Sequence, residues 1–195
     1  MINKIILASK SKVRKKILEE NQIECEVVPS NINEDSVKES LLKENASPET
    51  ISISLAELKA NKISQNRGGE LVLGADSVID LKGKIISKPN NRVDAFKILN
   101  SLNGQTHHLI SSVCISQNGS MIWNYSDKAS LTMKQMSKKE LQTYLGKISD
   151  EALYAYNVYQ IEGEGRSLFV KIEGDEDTIM GLPVKKINEY LKNYK

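Results

Sequence analysis

The chain has 195 residues, 39% hydrophobic and 27% charged, which excludes a disordered polymer and allows one sizeable domain or two small lobes sharing a core. Lys and Arg total 27 against 25 Asp and Glu, a formal net charge of +2, too balanced for net charge to bind nucleic acid or membrane. The two cysteines, Cys25 and Cys114, are far apart and form no CxxC, which argues against a zinc site or a disulfide framework and suits a reducing compartment.

Ile5-Ile6-Leu7-Ala8 is a short strand of the buried type, and its apolar run is too brief for a signal-peptide core. No stretch approaches the roughly 18 apolar residues of a membrane span, so a cytosolic protein is predicted. A helix follows from Ser11 to Glu20, carrying Lys12, Arg14, Lys15 and Lys16, with Lys10 just before it. A helix N-terminus offers unpaired N–H groups and partial positive charge, so the junction suits an anion, with Ser9 and Ser11 as hydroxyl donors and Arg14 as a bidentate grip. A solvated basic helix face is the competing reading. Glu24 to Val28 alternates like a second strand, and Asp35 to Asn45 repeats apolar residues at helical spacing. Ser47-Pro48 starts a helix that runs to Ser64, with Ile51, Leu55, Leu58 and Lys62 on one stripe and Lys59 at its margin. Lys59 there could snorkel to solvent or reach a cleft.

Leu71-Val72-Leu73 is the next strand, and Asp76 is placed at its carboxyl end, where open α/β sheets carry ligands. Asp76 could bind a metal or orient a water there, or cap the following turn. Ile79 to Ser87 is a hairpin turning at Lys82-Gly83, and Pro89 holds Lys88 extended, either near a phosphate or on the surface. A helix spans Arg92 to Leu102, and a hairpin turns at Asn118-Gly119-Ser120. Ser137 and Glu140 form a capping box, Tyr156 to Ile161 and Ser167 to Ile172 are strands, and Pro183 opens a last helix. Interleaved helices and frequent hairpins predict an α/β fold with a mixed twisted sheet flanked by helices. Glu34-Asp35 could supply a metal ligand or lie in an exposed turn. The acidic run from Glu173 to Asp177 lacks EF-hand spacing and is a solvated turn. His107 and His108, adjacent in a strand, point to opposite faces and cannot share a metal. GxSxG, HExxH and P-loop motifs are absent.

In this order, the segments resemble the Maf family of nucleotide pyrophosphatases, related in fold to the inosine triphosphatases. The resemblance rests on Leu7-Ala8-Ser9-Lys10-Ser11 with Arg14, Leu55-Ala56 with Lys59-Ala60, Gly74-Ala75-Asp76-Ser77, Lys88-Pro89, Leu102-Asn103-Gly104-Gln105-Thr106-His107, Ile161-Glu162-Gly163 and Gly181-Leu182-Pro183. Each piece is weak alone, but seven in sequence at similar intervals are specific.

The resemblance implies one Maf-like domain over residues 1–195, with two lobes around a cleft. It implies hydrolysis of nucleoside triphosphates to monophosphate and pyrophosphate, with Asp76 activating water and Asp76 and Glu34 holding Mg2+ or Mn2+. Ser9, Arg14, Lys59 and Lys88 then contact substrate, and Val13, Ser77 and Glu162 bear on its choice. Val13 stands where relatives carry an arginine or a base-stacking aromatic, Ser77 where pyrimidine-preferring members carry Thr, and Glu162 where they carry Gln. Glu162 suits a guanine, whose N1–H and amine both donate. The substrate expected is therefore a purine-tolerant triphosphate, handled by a cytoplasmic homodimer without nucleic-acid or membrane partners. The alternative is a nucleotide-binding regulator of division that does not turn its ligand over.

Overall fold

The computed structural model describes residues 4–194. They fall into two compact units. The first unit takes Met1–Val78, Ile110–Lys128 and Asp175–Lys195, and the second Ile79–Leu109 and Ala129–Gly174.

The strands are β1 (Lys4–Leu7), β2 (Glu24–Val27), β3 (Val72–Leu81), β4 (Lys84–Ile86), β5 (Thr106–Gln117), β6 (Ser120–Met133) and β7 (Phe169–Glu173). Hydrogen-bonded neighbours run β2-β1-β3-β5-β6-β7, with β4 on β3. Because β1 is parallel to β2 and β3 while β3–β4 and β6–β7 are antiparallel, the α/β sheet is mixed, as predicted. No helix among the described residues is long and apolar enough to cross a membrane.

In the first unit the period-two alternation of strands sorts side chains onto two faces. Ile5, Leu7 and Leu73 join Ile17 and Leu18 of α1 (Lys12–Glu20) and Val184, Ile187 and Leu191 of α8 (Val184–Asn193) in one cluster. Ile6 and Val72, one residue out of phase, meet Ala56 and Ala60 of α3 (Pro48–Ser64) on the other. Ser47 caps α3 by accepting from the Thr50 N–H, with Pro48 at its first position.

The buried stripe of α3 differs from the one read in the sequence. It is Ile51, Ser52, Leu55, Ala56, Lys59, Ala60 and Ser64, whereas Leu58 is 41% exposed and Lys62 is exposed. Gly74 explains the rotation, because a Cβ built there would lie 2.0 Å from the Ala56 carbonyl oxygen and 2.8 Å from the Ala60 nitrogen. Helix and strand backbones touch at that point, so only small residues fit between them.

The second unit carries α4 (Arg92–Leu102), α5 (Lys138–Lys147) with the predicted Ser137–Glu140 capping box, and α6 (Asp150–Tyr156). The predicted strand over 156–161 is absent. Ser149 caps α6 by accepting from the Ala152 N–H, and Asn157 turns the chain at φ +66°. Ser167 to Ile172 is divided between a 3-10 helix at Glu164–Leu168 and β7. At the β3–β4 hairpin, Lys82 and Gly83 both take positive φ, the two-residue turn that the sequence predicts.

His107 is fully buried in this unit, its Nε2 2.6 Å from the Tyr159 hydroxyl and its Nδ1 without a partner. Burial, helped by the neighbouring His108, lowers its pKa from 6.5 to about 4. Between those values the unfolded chain binds a proton that the folded chain refuses. Stability is therefore complete above pH 6.5 and falls as the pH drops towards 4, by up to about 3 kcal/mol. Denaturation midpoints measured across that range should show this loss in the wild type, and His107→Gln should flatten it. Parallel curves for the two proteins would contradict the assignment.

Candidate active site

The parallel β1–β3 ladder sets the geometry. Ile6 N–H donates to Leu71 O at 2.9 Å and Ala8 N–H to Leu73 O at 2.8 Å, so continued pairing would place Lys10 opposite Ala75. The chain instead leaves the sheet and enters α1, capped by Ser11, whose side chain accepts from the Arg14 N–H. Arg14 then supplies the missing donor, its Nη1 donating to Ala75 O at 2.9 Å. Nη1 also donates to Ser9 Oγ at 3.3 Å, Nε to Gly181 O at 2.9 Å and Nη2 to Ser77 Oγ at 3.1 Å. Four N–H donors of the guanidinium are thus used inside the protein. Burial lowers its pKa against the opposing pull of Asp76 and Glu34.

Asp76 sits between the two residues that Arg14 holds. It is inside β3 and not at the end of the strand, as the sequence suggested, but it does lie beyond the point where β1 departs. Its backbone carbonyl accepts from Ser52 Oγ at 3.2 Å. Its Oδ1 accepts from Lys59 Nζ at 2.8 Å, and Oδ2 is buried without a partner. Lys59, only 6% exposed, is the stem of a buried charge pair and not a snorkelling surface residue. Its Nζ also lies 3.0 Å from Oε1 of Glu34, the first residue of α2 (Glu34–Lys43), not an exposed turn. Burial raises the Asp76 pKa despite Lys59 and Arg14. At half-buried Glu34, burial pushes the same way, but Lys59, Lys38 and Arg14 outweigh it and hold its carboxyl below the ordinary value.

A second line of hydroxyls supports the first. Ser111 Oγ donates to Thr178 O at 2.8 Å, so its single proton is committed, and the 2.9 Å contact with Ser77 must be donated by Ser77. Ser77 thereby accepts from Arg14 and donates to Ser111. Gly181, at φ +95°, takes a backbone conformation that L side chains rarely adopt, and a Cβ there would press on Ser77 Oγ at 3.0 Å. Ser52, Ser111 and Thr178 escaped the sequence reading. Ser111-Ser112, two fully buried hydroxyls within the apolar run from Leu109 to Ile115, were the available signal.

The structure therefore brings Ser9, Arg14, Glu34, Lys59, Asp76 and Ser77 into one cluster in the first unit. Val13 is half-buried and packs on the apolar cluster of α1 and α8. Lys15 and Lys16 are exposed and paired with Glu19 and Glu20, as a solvated face would be. Lys88 and Glu162 belong to the second unit. Lys88 is exposed just before Pro89, and Glu162 is exposed and accepts from Gln160 Nε2 at 3.3 Å. Asp175 caps the four-residue α7 (Glu176–Ile179) and pairs with Lys185, so part of the acidic run is structural.

Arg14→Lys tests the clamp. A lysine has three donors on one atom and cannot serve acceptors on β3, the 181 loop and Ser9 together. The substitution should lower unfolding stability by about 1–3 kcal/mol in chemical denaturation. An unchanged midpoint would show that the clamp is not structural.

The family model described as Maf-like protein matches residues 4–194. A nucleoside triphosphate pyrophosphatase of Pelagibacter ubique is 74% identical over 192 residues, 98% of this chain and 98% of that protein. A 7-methyl-GTP pyrophosphatase of Mesorhizobium japonicum is 38% identical over 184 residues, 94% of this chain and 92% of that protein. Among solved structures, the Ham1 protein of Staphylococcus aureus aligns over 98% of this chain and 100% of its own, with a TM-score of 0.43 at 12% identity.

Proposed function

Because this chain belongs to the Maf-like family, we propose that it is an enzyme that hydrolyses nucleoside triphosphates to the monophosphate and pyrophosphate. Relatives that it matches almost end to end are named nucleoside triphosphate pyrophosphatase and 7-methyl-GTP pyrophosphatase, which suits clearance of modified nucleotides. The observation that carries the reading is the Asp76 carboxylate, with one oxygen fixed by Lys59 and the other buried and unpartnered.

In this reading Oδ2 of Asp76 accepts a proton from a water, whose oxygen bonds to the α-phosphorus as the bond to the bridging oxygen of the β-phosphate breaks. Pyrophosphate leaves with that electron pair. Ser9 and the N–H groups opening α1 bind phosphate oxygens, and the Lys59 ammonium offsets charge on the leaving group. Arg14 contributes by fixing Ser9, Ala75 and Ser77 around the base.

A divalent cation, Mg2+ or Mn2+, fits the residues present. Asp76 Oδ1 and Glu34 Oε1 lie 2.8 Å and 3.0 Å from the Lys59 ammonium, so two hard carboxylate ligands already gather around one positive charge. These two carboxylates would hold it, and bound there it would neutralise part of the triphosphate charge. A cytoplasmic location and a homodimer belong to the same reading and rest on the family resemblance.

Incubation with Mg2+ and a panel of canonical and N7-methylated triphosphates, with product identification, tests the proposal. Monophosphate and pyrophosphate are expected in equal amounts. Release of orthophosphate would overturn the reaction, and tight binding without turnover would favour a regulator.

A further inference from the structure

Lys59 does more than sit beside the base. Its ammonium lies 2.8 Å from Asp76 Oδ1 and 3.0 Å from Glu34 Oε1, and it is therefore already the cation between the two carboxylates. Its side chain is 7% exposed, so it reaches this point from inside the protein along the buried face of α3. The close contact of α3 with Gly74 fixes the distance between Lys59 and Asp76.

We infer that Lys59 is a built-in counter-cation that competes with the divalent metal for Asp76 and Glu34, so that the metal enters the site only together with the triphosphate. The inference rests on the proposed metal-assisted reading of the site and adds an order of binding to it.

Three observations support it. First, among the described residues no three His, Cys, Asp or Glu side chains gather as a metal site, so the protein alone offers a cation only two carboxylates. A six-coordinate hard cation needs further oxygens, and a triphosphate brings them. Second, the two carboxylates are already compensated by one ammonium, with Arg14 as a second positive charge acting on both. A divalent ion arriving alone would add two charges to a group that is close to neutral. A triphosphate, with about four negative charges, reverses that balance and gives the displaced ammonium a new partner. Third, the two ligands differ in freedom. Asp76 is locked in the sheet with its carbonyl on Ser52, whereas Glu34 opens a helix with its side chain 42% exposed. Glu34 can move away from Lys59 without disturbing the core, which allows the ammonium to be released.

The test is Mn2+ binding, read from the electron paramagnetic resonance signal of the free ion, with and without a triphosphate analogue carrying a methylene between the α- and β-phosphorus. Nucleotide-free wild-type protein should bind Mn2+ weakly, and the analogue should tighten binding at least tenfold. Lys59→Met should bind Mn2+ at least tenfold more tightly than wild type without nucleotide, and Lys59→Gln provides the same comparison should the methionine variant not fold. Glu34→Gln, which loses a ligand but keeps Lys59, should show no gain. Tight binding by nucleotide-free wild type, or no gain in either Lys59 variant, would overturn the inference while leaving the metal reading intact. Failure of Mn2+ to bind any of these proteins even with the analogue present would remove both.

Discussion

Asp76→Asn is expected to cut triphosphate hydrolysis by a factor of about a thousand or more while leaving the protein at least as stable as wild type. The two halves of that expectation come from the same burial. Asparagine keeps the shape of the side chain and its acceptor oxygen towards Lys59, but it cannot take a proton from water. Burial raises the Asp76 pKa, so the folded state disfavours the charge that the unfolded chain carries freely above pH 3.8. A raised folded-state pKa means that this carboxylate lowers stability at neutral pH, and neutralising it removes that penalty. Removing one partner of a buried ion pair usually destabilises by stranding the other. Here Lys59 keeps Glu34 at 3.0 Å. Steady-state rates and thermal midpoints on the same preparation separate the two effects. A rate within tenfold of wild type would remove Asp76 from the chemistry, and a lost rate with a collapsed midpoint would make its role structural.

The second large effect belongs to Gly74. Gly74→Val places branched carbons where even a Cβ would lie 2.0 Å from the Ala56 carbonyl oxygen. Both walls of that contact are backbone, so neither can swing aside, and α3 must shift away from β3 as a whole. The expected cost is about 3–5 kcal/mol of unfolding free energy. The shift also draws Lys59 away from Asp76, so residual folded protein should be slow. Gly68→Ala is the matched control, because nothing lies within 4 Å of a Cβ at that position. It should change stability by less than about 0.5 kcal/mol. Equal effects at the two glycines would mean that the close approach of helix and strand is not what Gly74 serves.

Local chemistry made much of the architecture legible. Ser47-Pro48, Ser137 with Glu140 and Lys82-Gly83 mark their elements because a cap or a positive-φ turn is decided by a few adjacent atoms. Local patterns fall short where tertiary packing decides. In the sequence the largest apolar residues mark the α3 stripe, yet the face that packs is the one with Ser52, Ala56 and Ala60, because strand backbone lies against it. For the same reason the apolar spacing puts Lys59 at the stripe's margin although it is buried. The run from Tyr156 to Ile161 is rich in strand formers, but the Ser149-Asp150-Glu151 helix start and the left-handed Asn157 override it. At the site, the order of Asp76, Lys59 and Arg14 along the chain was visible. The substitution of Arg14 for a missing ladder partner of Ala75 was not, since it depends on where β1 leaves the sheet.

The proposed hydrolysis depends on attack by a water at the α-phosphorus beside Asp76. It is tested most directly by running the hydrolysis in water enriched in oxygen-18 and weighing both products by mass spectrometry. One heavy oxygen in the nucleoside monophosphate, with unlabelled pyrophosphate, is the predicted result. Label in the pyrophosphate, or in released orthophosphate, would place the attack at another phosphorus and contradict the account.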